Sequence, residues 1–324
     1  MDLPVRPRRN RKSEGVRALS RETVLTPGDF VLPLFLHDEQ SDEAIESMPG
    51  CTRWSLAGLV REAGEALALG VPAVVLFPAI AEGLKTRDAA ESFNPDGLVP
   101  RAIRALKKAH PDLVVMTDVA LDPYNLDGHD GLVENGEIVN DATVEVLCRQ
   151  ALTQAEAGAD IVAPSDMMDG RVAALRTALD QAGYSGVSIC SYTAKYASAF
   201  YGPFRGALGS APKAGDKKTY QMDPANRREA LRELALDERE GADMVMIKPA
   251  GAYLDIVSEV RRATPLPVAA YQVSGEYLMI KSAAAAGWVN ENAVMMESLI
   301  AIKRAGADVI LSYFAKEAAR ILRP

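Results

Sequence analysis

From about residue 30 onward the chain alternates between two patterns. Short, nearly continuous apolar runs fall at residues 31–36, 73–78, 113–121, 161–165, 187–192, 244–248, 268–273 and 309–314, each bounded by Gly, Pro or Asp. Continuous rather than alternating apolarity is expected of strands covered on both faces. Between them, apolar residues recur at helical spacing. Ser55 is suited to cap a helix running to about residue 69, with Leu56, Leu59, Val60, Ala63 and Leu67 on one face. Asp141 is expected to cap a helix to about residue 157, and Asp223-Pro224 to open one to about residue 240. A further helix is read over 291–305. Four helices end at a glycine that leads into a strand, at Gly70, Gly158, Gly241 and Gly306, and in the last three the next residues are Ala-Asp. Glycine closes a helix in a left-handed conformation without a Cβ clash, so this reused unit reads as architectural.

Eight such strands alternating with helices predict a parallel (β/α)8 TIM barrel. The competing doubly wound sheet usually carries a glycine-rich phosphate loop, and no G-x-G-x-x-G or Walker pattern occurs. The reading divides the chain into an N-terminal arm, residues 1–30, and a catalytic barrel, residues 31–324. Asn135-Gly136 between extended residues predicts a hairpin over 132–139. The long stretch from about 194 to 222 is expected to be a lid over the active site.

Composition narrows the function. The 324 residues carry a net charge of −8, which argues against nucleic acid as a partner. No apolar run is long enough for a membrane helix. Residues 1–17 are polar and basic, with no leader apparent, and Cys51, Cys148 and Cys190 are scattered as reduced thiols would be. A cytoplasmic location is expected from these features. Three histidines all but exclude a multi-histidine metal centre. The basic segment Arg6-Pro7-Arg8-Arg9-Asn10-Arg11-Lys12 reads either as a solvated tail or as an arm that docks on another subunit.

In a barrel, chemistry sits at the C-terminal ends of the strands. Lys248 follows the apolar run 244–247 directly, and Lys195 follows the run one strand earlier. A lysine must fall from about 10.4 to about 7 to be a competent amine at neutral pH, a differential of about 4–5 kcal/mol. Desolvation and a second ammonium can supply this. Two such amines would attack carbonyls to form Schiff bases; the plainer alternative is a pair of anion-binding or salt-bridged lysines. Asp118, Asp122, Asp127, Asp130 and His129 cluster after the third strand, as turn caps or as oxygen ligands for a hard cation.

Val245-Met246-Ile247-Lys248-Pro249 and Tyr271-Gln272-Val273-Ser274-Gly275-Glu276, with the arm at 6–12 and segments 118–131, 162–171, 191–205, 215–221 and 305–316, resemble the porphobilinogen synthase (5-aminolevulinate dehydratase) family over nearly the whole chain. The resemblance implies condensation of two molecules of 5-aminolevulinate to porphobilinogen, with loss of two waters, in tetrapyrrole synthesis. It makes Lys195 and Lys248 the Schiff-base lysines, Lys248 for the propionate-side substrate and Lys195 for the acetate-side one. Arg205 and Lys217 would hold one substrate carboxylate, Ser274 and Tyr313 the other. Lys217 stands where arginine is common. Asp118, Ser165, Tyr192 and Tyr271 would line the site, and Gln221 would contact substrate from the lid. Where zinc-dependent members have cysteines, this chain has Ala120, Asp122 and Asp130. The expectation is therefore no cysteine-ligated zinc, membership of the aspartate-rich, magnesium-responsive branch, and an allosteric Mg²⁺ at Glu233, with Asp122 and Asp130 as further candidate ligands. A homo-octamer assembled through the arm is also implied. Two other readings compete: a class I aldolase using Lys248 alone, and a non-catalytic barrel that binds a keto acid.

Overall fold

The computed structural model describes residues 3–323. Eight parallel strands carry the core: β1 Phe30–Leu36, β2 Ala73–Pro78, β3 Val114–Val119, β4 Ile161–Pro164, β5 Ser188–Lys195, β6 Met244–Lys248, β7 Val268–Gln272 and β8 Val309–Ser312. Each pairs with the next, and β8 returns to β1 through Phe30↔Ile310 and Val31↔Leu311. The sheet is therefore a closed (β/α)8 barrel, as the pattern predicts. All seven residues of β1 and all six of β2 are buried, which accounts for their continuous apolarity.

The glycines behave as the sequence requires. Gly70, Gly158, Gly241 and Gly306 have φ of 87°, 104°, 99° and 123°. The aspartate two residues after three of them has a task the sequence did not announce. Asp160 donates its backbone N–H to Val115 O (3.0 Å) and accepts the Val115 N–H on Oδ2 (2.8 Å). Asp243 does the same to Ile189, and Asp308 to Val268. Each Gly-Ala-Asp unit thus pins the start of the strand it enters to the start of the strand before it.

Two helix starts differ from expectation. Asp141 lies in the first turn of the helix Asn140–Ala157 rather than at its cap, because the hairpin strand Glu137–Val139 runs straight into it. Asp223 does not open a helix. Its carboxylate accepts the Ala225 N–H in a local turn (2.8 Å), and the helix is Arg228–Glu240. The Ser55 cap is present, with Oγ accepting the Gly58 N–H (3.1 Å). The hairpin Leu132–Glu134/Glu137–Val139 turns through Asn135 and Gly136, both at positive φ.

Two added features frame the barrel mouth. The short strands Glu43–Ala44 and Thr52–Trp54 pair with each other and onto the C-terminal end of β1. The 194–222 stretch leaves β5 as a 3₁₀ turn, Ala199–Tyr201, then a short helix, Gly202–Leu208, and returns at Met222 to bond Lys195 O and Ala197 N. In the arm no residue from Leu3 to Val24 is buried. Among the described residues no helix is long and apolar enough to cross a membrane.

Candidate active site

Lys195 and Lys248 end adjacent strands and are register partners. A register shift between Val245 and Ile247 carries β5 on to Lys195, beyond the apolar run that marked it in sequence, and sets the two lysines side by side. Both are buried.

Their surroundings are unequal. Lys248 Nζ stands over the rings of Tyr271 (4.8 Å), Tyr192 (5.1 Å), Tyr201 (5.2 Å) and Phe204 (5.2 Å), with no ion pair to it among the described residues. Burial, then the neighbouring Lys195 charge, lowers its pKa to about 7. Lys195 instead pairs with Asp130 (3.1 Å) and donates to Ser165 O. Of the two amines, one thus stands free of ion pairs and the other is held by Asp130, because Asp130 bonds only one of them.

Asp130 is the hub of the opposite wall. It also accepts from Lys217 (2.6 Å) and Gln221 Nε2 (3.3 Å), and Lys217 spans to Asp122 (3.4 Å). Burial alone would raise Asp130; the Lys195 and Lys217 ammonium groups outweigh it and hold the carboxyl below the usual range. Lys217 therefore comes down from the 194–222 segment into the pocket, but as the partner of two carboxylates rather than a free cation. Arg205, on the helix Gly202–Leu208, is half-buried and makes no ion pair among the described residues. Asp118 faces both lysines. Burial, then Asp122, raises its pKa to about 7, and its Oδ1 has no hydrogen-bond partner. The Tyr192 hydroxyl and Gln221 Oε1 are likewise buried without partners. Tyr271 and Tyr313 share a hydroxyl–hydroxyl bond (3.0 Å), while Ser274 Oγ accepts from Phe204 N (3.1 Å) and donates to Phe200 O (3.3 Å). Unpaired polar atoms in a buried pocket are costly without a ligand to meet them.

Glu233 is not brought to the lysines. It lines a separate cavity of about 860 Å³ between the hairpin, the 214–222 stretch and the helix Arg228–Glu240, together with Asp169, Glu229 and His129. Burial raises its pKa, and Asp237, Asp169 and Glu229 add to the effect against Arg171. Among the described residues no three His, Cys, Asp or Glu side chains converge as a metal site. Burial pushes the thiols of Cys51 and Cys190 up to about 12 and that of Cys148 to about 11.

Sequence reasoning missed the aromatic box. Tyr201 and Phe204 lie in a segment read only as a lid, and no spacing rule places them over a lysine of another strand.

A family profile described as Delta-aminolevulinic acid dehydratase matches residues 4–321. The chain belongs to this family. The Delta-aminolevulinic acid dehydratase of Physcomitrium patens is 59% identical over 99% of this chain and 74% of its own length. That of Glycine max is 60% identical over 99% and 79%. The crystal structure of the Toxoplasma gondii dehydratase, in complex with porphobilinogen, is 53% identical, superposes with a TM-score of 0.97 and covers 98% of this chain and 92% of that one. The plant relatives are named chloroplastic, a finding that overturns the expected cytoplasmic location. Scattered thiols report a reducing environment, and that does not single out one compartment.

Proposed function

We propose that the chain condenses two molecules of 5-aminolevulinate to porphobilinogen, with loss of two waters, through imines on Lys248 and Lys195. One observation carries the two-lysine reading: the amines are register partners in one buried mouth, where burial beside Lys195 lowers the pKa of Lys248 to about 7. The Lys248 amine adds to a substrate ketone; the carbinolamine gains a proton on oxygen and loses water to give the imine. Asp118, with a pKa near that of Lys248, is matched to exchange that proton. Lys195 attacks the second ketone as the free amine, and a proton on its Nζ passes first to Asp118, the raised carboxyl that faces both lysines, while Asp130 keeps the amine in place. With both ketones captured side by side, carbon–carbon bond formation becomes effectively unimolecular. The substrate carboxylates take over existing bonds: one displaces the backbone partners of Ser274 beside Tyr313, the other engages Arg205 with Lys217. Ser165, Tyr192, Tyr271 and Gln221 complete the lining. The 194–222 segment acts as the lid that keeps water from the imines.

The aspartate-rich, magnesium-responsive branch is the reading for the metal. Glu233, on the wall of that cavity, offers one hard oxygen donor to a Mg²⁺ that keeps most of its waters. Bound there, Mg²⁺ would offset the negative charge around Glu233, outside the pocket that holds the lysines. Asp122 and Asp130 fit a metal less well, since Lys217 already supplies their counter-charge. The exposed basic arm is proposed to assemble the homo-octamer.

Incubation with 5-aminolevulinate, borohydride reduction and mass-spectrometric mapping, beside a colorimetric pyrrole assay, tests the function. Labels on both Lys195 and Lys248 with pyrrole formed are expected. A label on Lys248 alone without pyrrole would indicate an aldolase, and neither label nor product a binding barrel.

A further inference from the structure

The Tyr271–Glu276 stretch holds one carboxylate that this chemistry leaves without a task. Glu276 sits in the first turn of the helix Ser274–Ala285, and its two oxygens reach two different segments. Oε2 accepts the Val273 N–H (2.8 Å), next to Ser274. Oε1 accepts the Gly251 N–H (2.6 Å), three residues beyond Lys248, where the chain leaves β6. The seam has no slack. A Cβ on Gly251 would lie 2.5 Å from Glu276 Oε1, and one on Gly275 would lie 2.6 Å from the backbone oxygen of Phe200. The mouths of β6 and β7 are thus tied by a side chain that bonds backbone on both sides.

We infer that Glu276 is a positioning residue that fixes the span between the Lys248 amine and the Ser274 hydroxyl, and thereby selects keto acids by the number of carbons between ketone and carboxylate. The inference rests on the reading of Lys248 and Ser274 given above. A keto acid held at both ends must match the separation of its anchors, and anchors on separate strands keep that separation only if the strands are tied beyond the barrel ladder. Glu276 bonds the peptide group that precedes Ser274 and one three residues beyond Lys248, so it fixes the backbone span from which the two side chains reach. It needs no contact with the substrate itself.

Two keto acids that lack the amino group isolate the effect: 4-oxopentanoate and its one-methylene-longer homologue 5-oxohexanoate. Each is titrated against the full-length enzyme, trapped with borohydride, and the half-saturating concentration for label on Lys248 is read by mass spectrometry. The unmodified enzyme is expected to favour the shorter acid by about tenfold or more. Glu276→Gln turns one acceptor into a donor facing an N–H. Gly251→Ala keeps the charge but displaces the carboxylate. Both variants are expected to bring the ratio towards one while Lys248 is still labelled. An unchanged ratio in folded protein, for either variant, would overturn the inference, as would equal trapping of both acids by the unmodified enzyme. No label on Lys248 at all in the unmodified enzyme would sink the Schiff-base reading together with this one.

Discussion

The pKa of Lys248 falls to about 7 because water has been replaced around it by four rings and because Lys195 stands beside it. Aromatic faces offer some attraction to a cation, but they do not replace hydration, so burial dominates. Two outcomes are expected. Lys248→Met abolishes pyrrole formation, measured by the colorimetric assay, while circular dichroism remains that of the folded barrel. The pH dependence has a definite sign. The folded pKa of about 7 lies below the ordinary 10.5, so between these values the unfolded chain binds more protons and stability rises with pH. The penalty is full below about pH 7 and vanishes towards 10.5. The stabilisation that Lys248→Met brings is therefore largest at and below neutral pH and fades in alkali, as paired thermal melts across that window would reveal. Lys217 is the opposite case. Removing this buried cation leaves Asp122 without its ion pair and Asp130 with Lys195 as its remaining one, so Lys217→Met is expected to cost about 3 kcal/mol or more in urea titrations and to depress turnover.

At the scale of elements, the Gly-Ala-Asp units and the 194–222 segment obey different rules. Each unit is a local device: glycine ends the helix, and aspartate pins the next strand start to its neighbour with a pair of hydrogen bonds. Asp308→Ala removes the acceptor for the Val268 N–H and is expected to cost about 1–2 kcal/mol of unfolding free energy, with KM and kcat unchanged. The 194–222 segment is held instead by long-range bonds to its carbonyls. Arg53 donates to Ala207 O (2.9 Å), Lys85 to Gly209 O (3.1 Å) and Ser47 to Pro203 O (3.2 Å). Arg53→Ala should accordingly raise KM for 5-aminolevulinate with little change in melting temperature, because it loosens the helix that carries Phe204 and Arg205. A large fall in melting temperature with KM unchanged would contradict this.

For the whole molecule, the first part of the arm contributes nothing to the barrel core: nothing from Leu3 to Val24 is buried, whereas Leu25 and Phe30 belong to the core. Deleting residues 3–24 is expected to leave the barrel folded by circular dichroism but to reduce the assembly below the octamer proposed for the full chain, as analytical ultracentrifugation would read. Chelation by EDTA is expected to lower activity only in part, with Mg²⁺ restoring it; inactivation that only Zn²⁺ reverses would contradict the metal reading. The amino-acid order alone determined the eight strands, the helix-ending glycines, the hairpin at Asn135-Gly136 and the two lysines at adjacent strand ends. These depend on local periodicity, on φ freedom and on the rule that a barrel presents its strand ends together. Only tertiary structure decided which lysine is free and which is paired, because Asp130 and Lys217 reach the site from loops 65 and 87 residues away from their partners. It alone decided the aromatic box, the tie made by Glu276 and the separation of Glu233 from the lysines. Those are distances between segments far apart in the chain, and such distances exist only once the barrel closes.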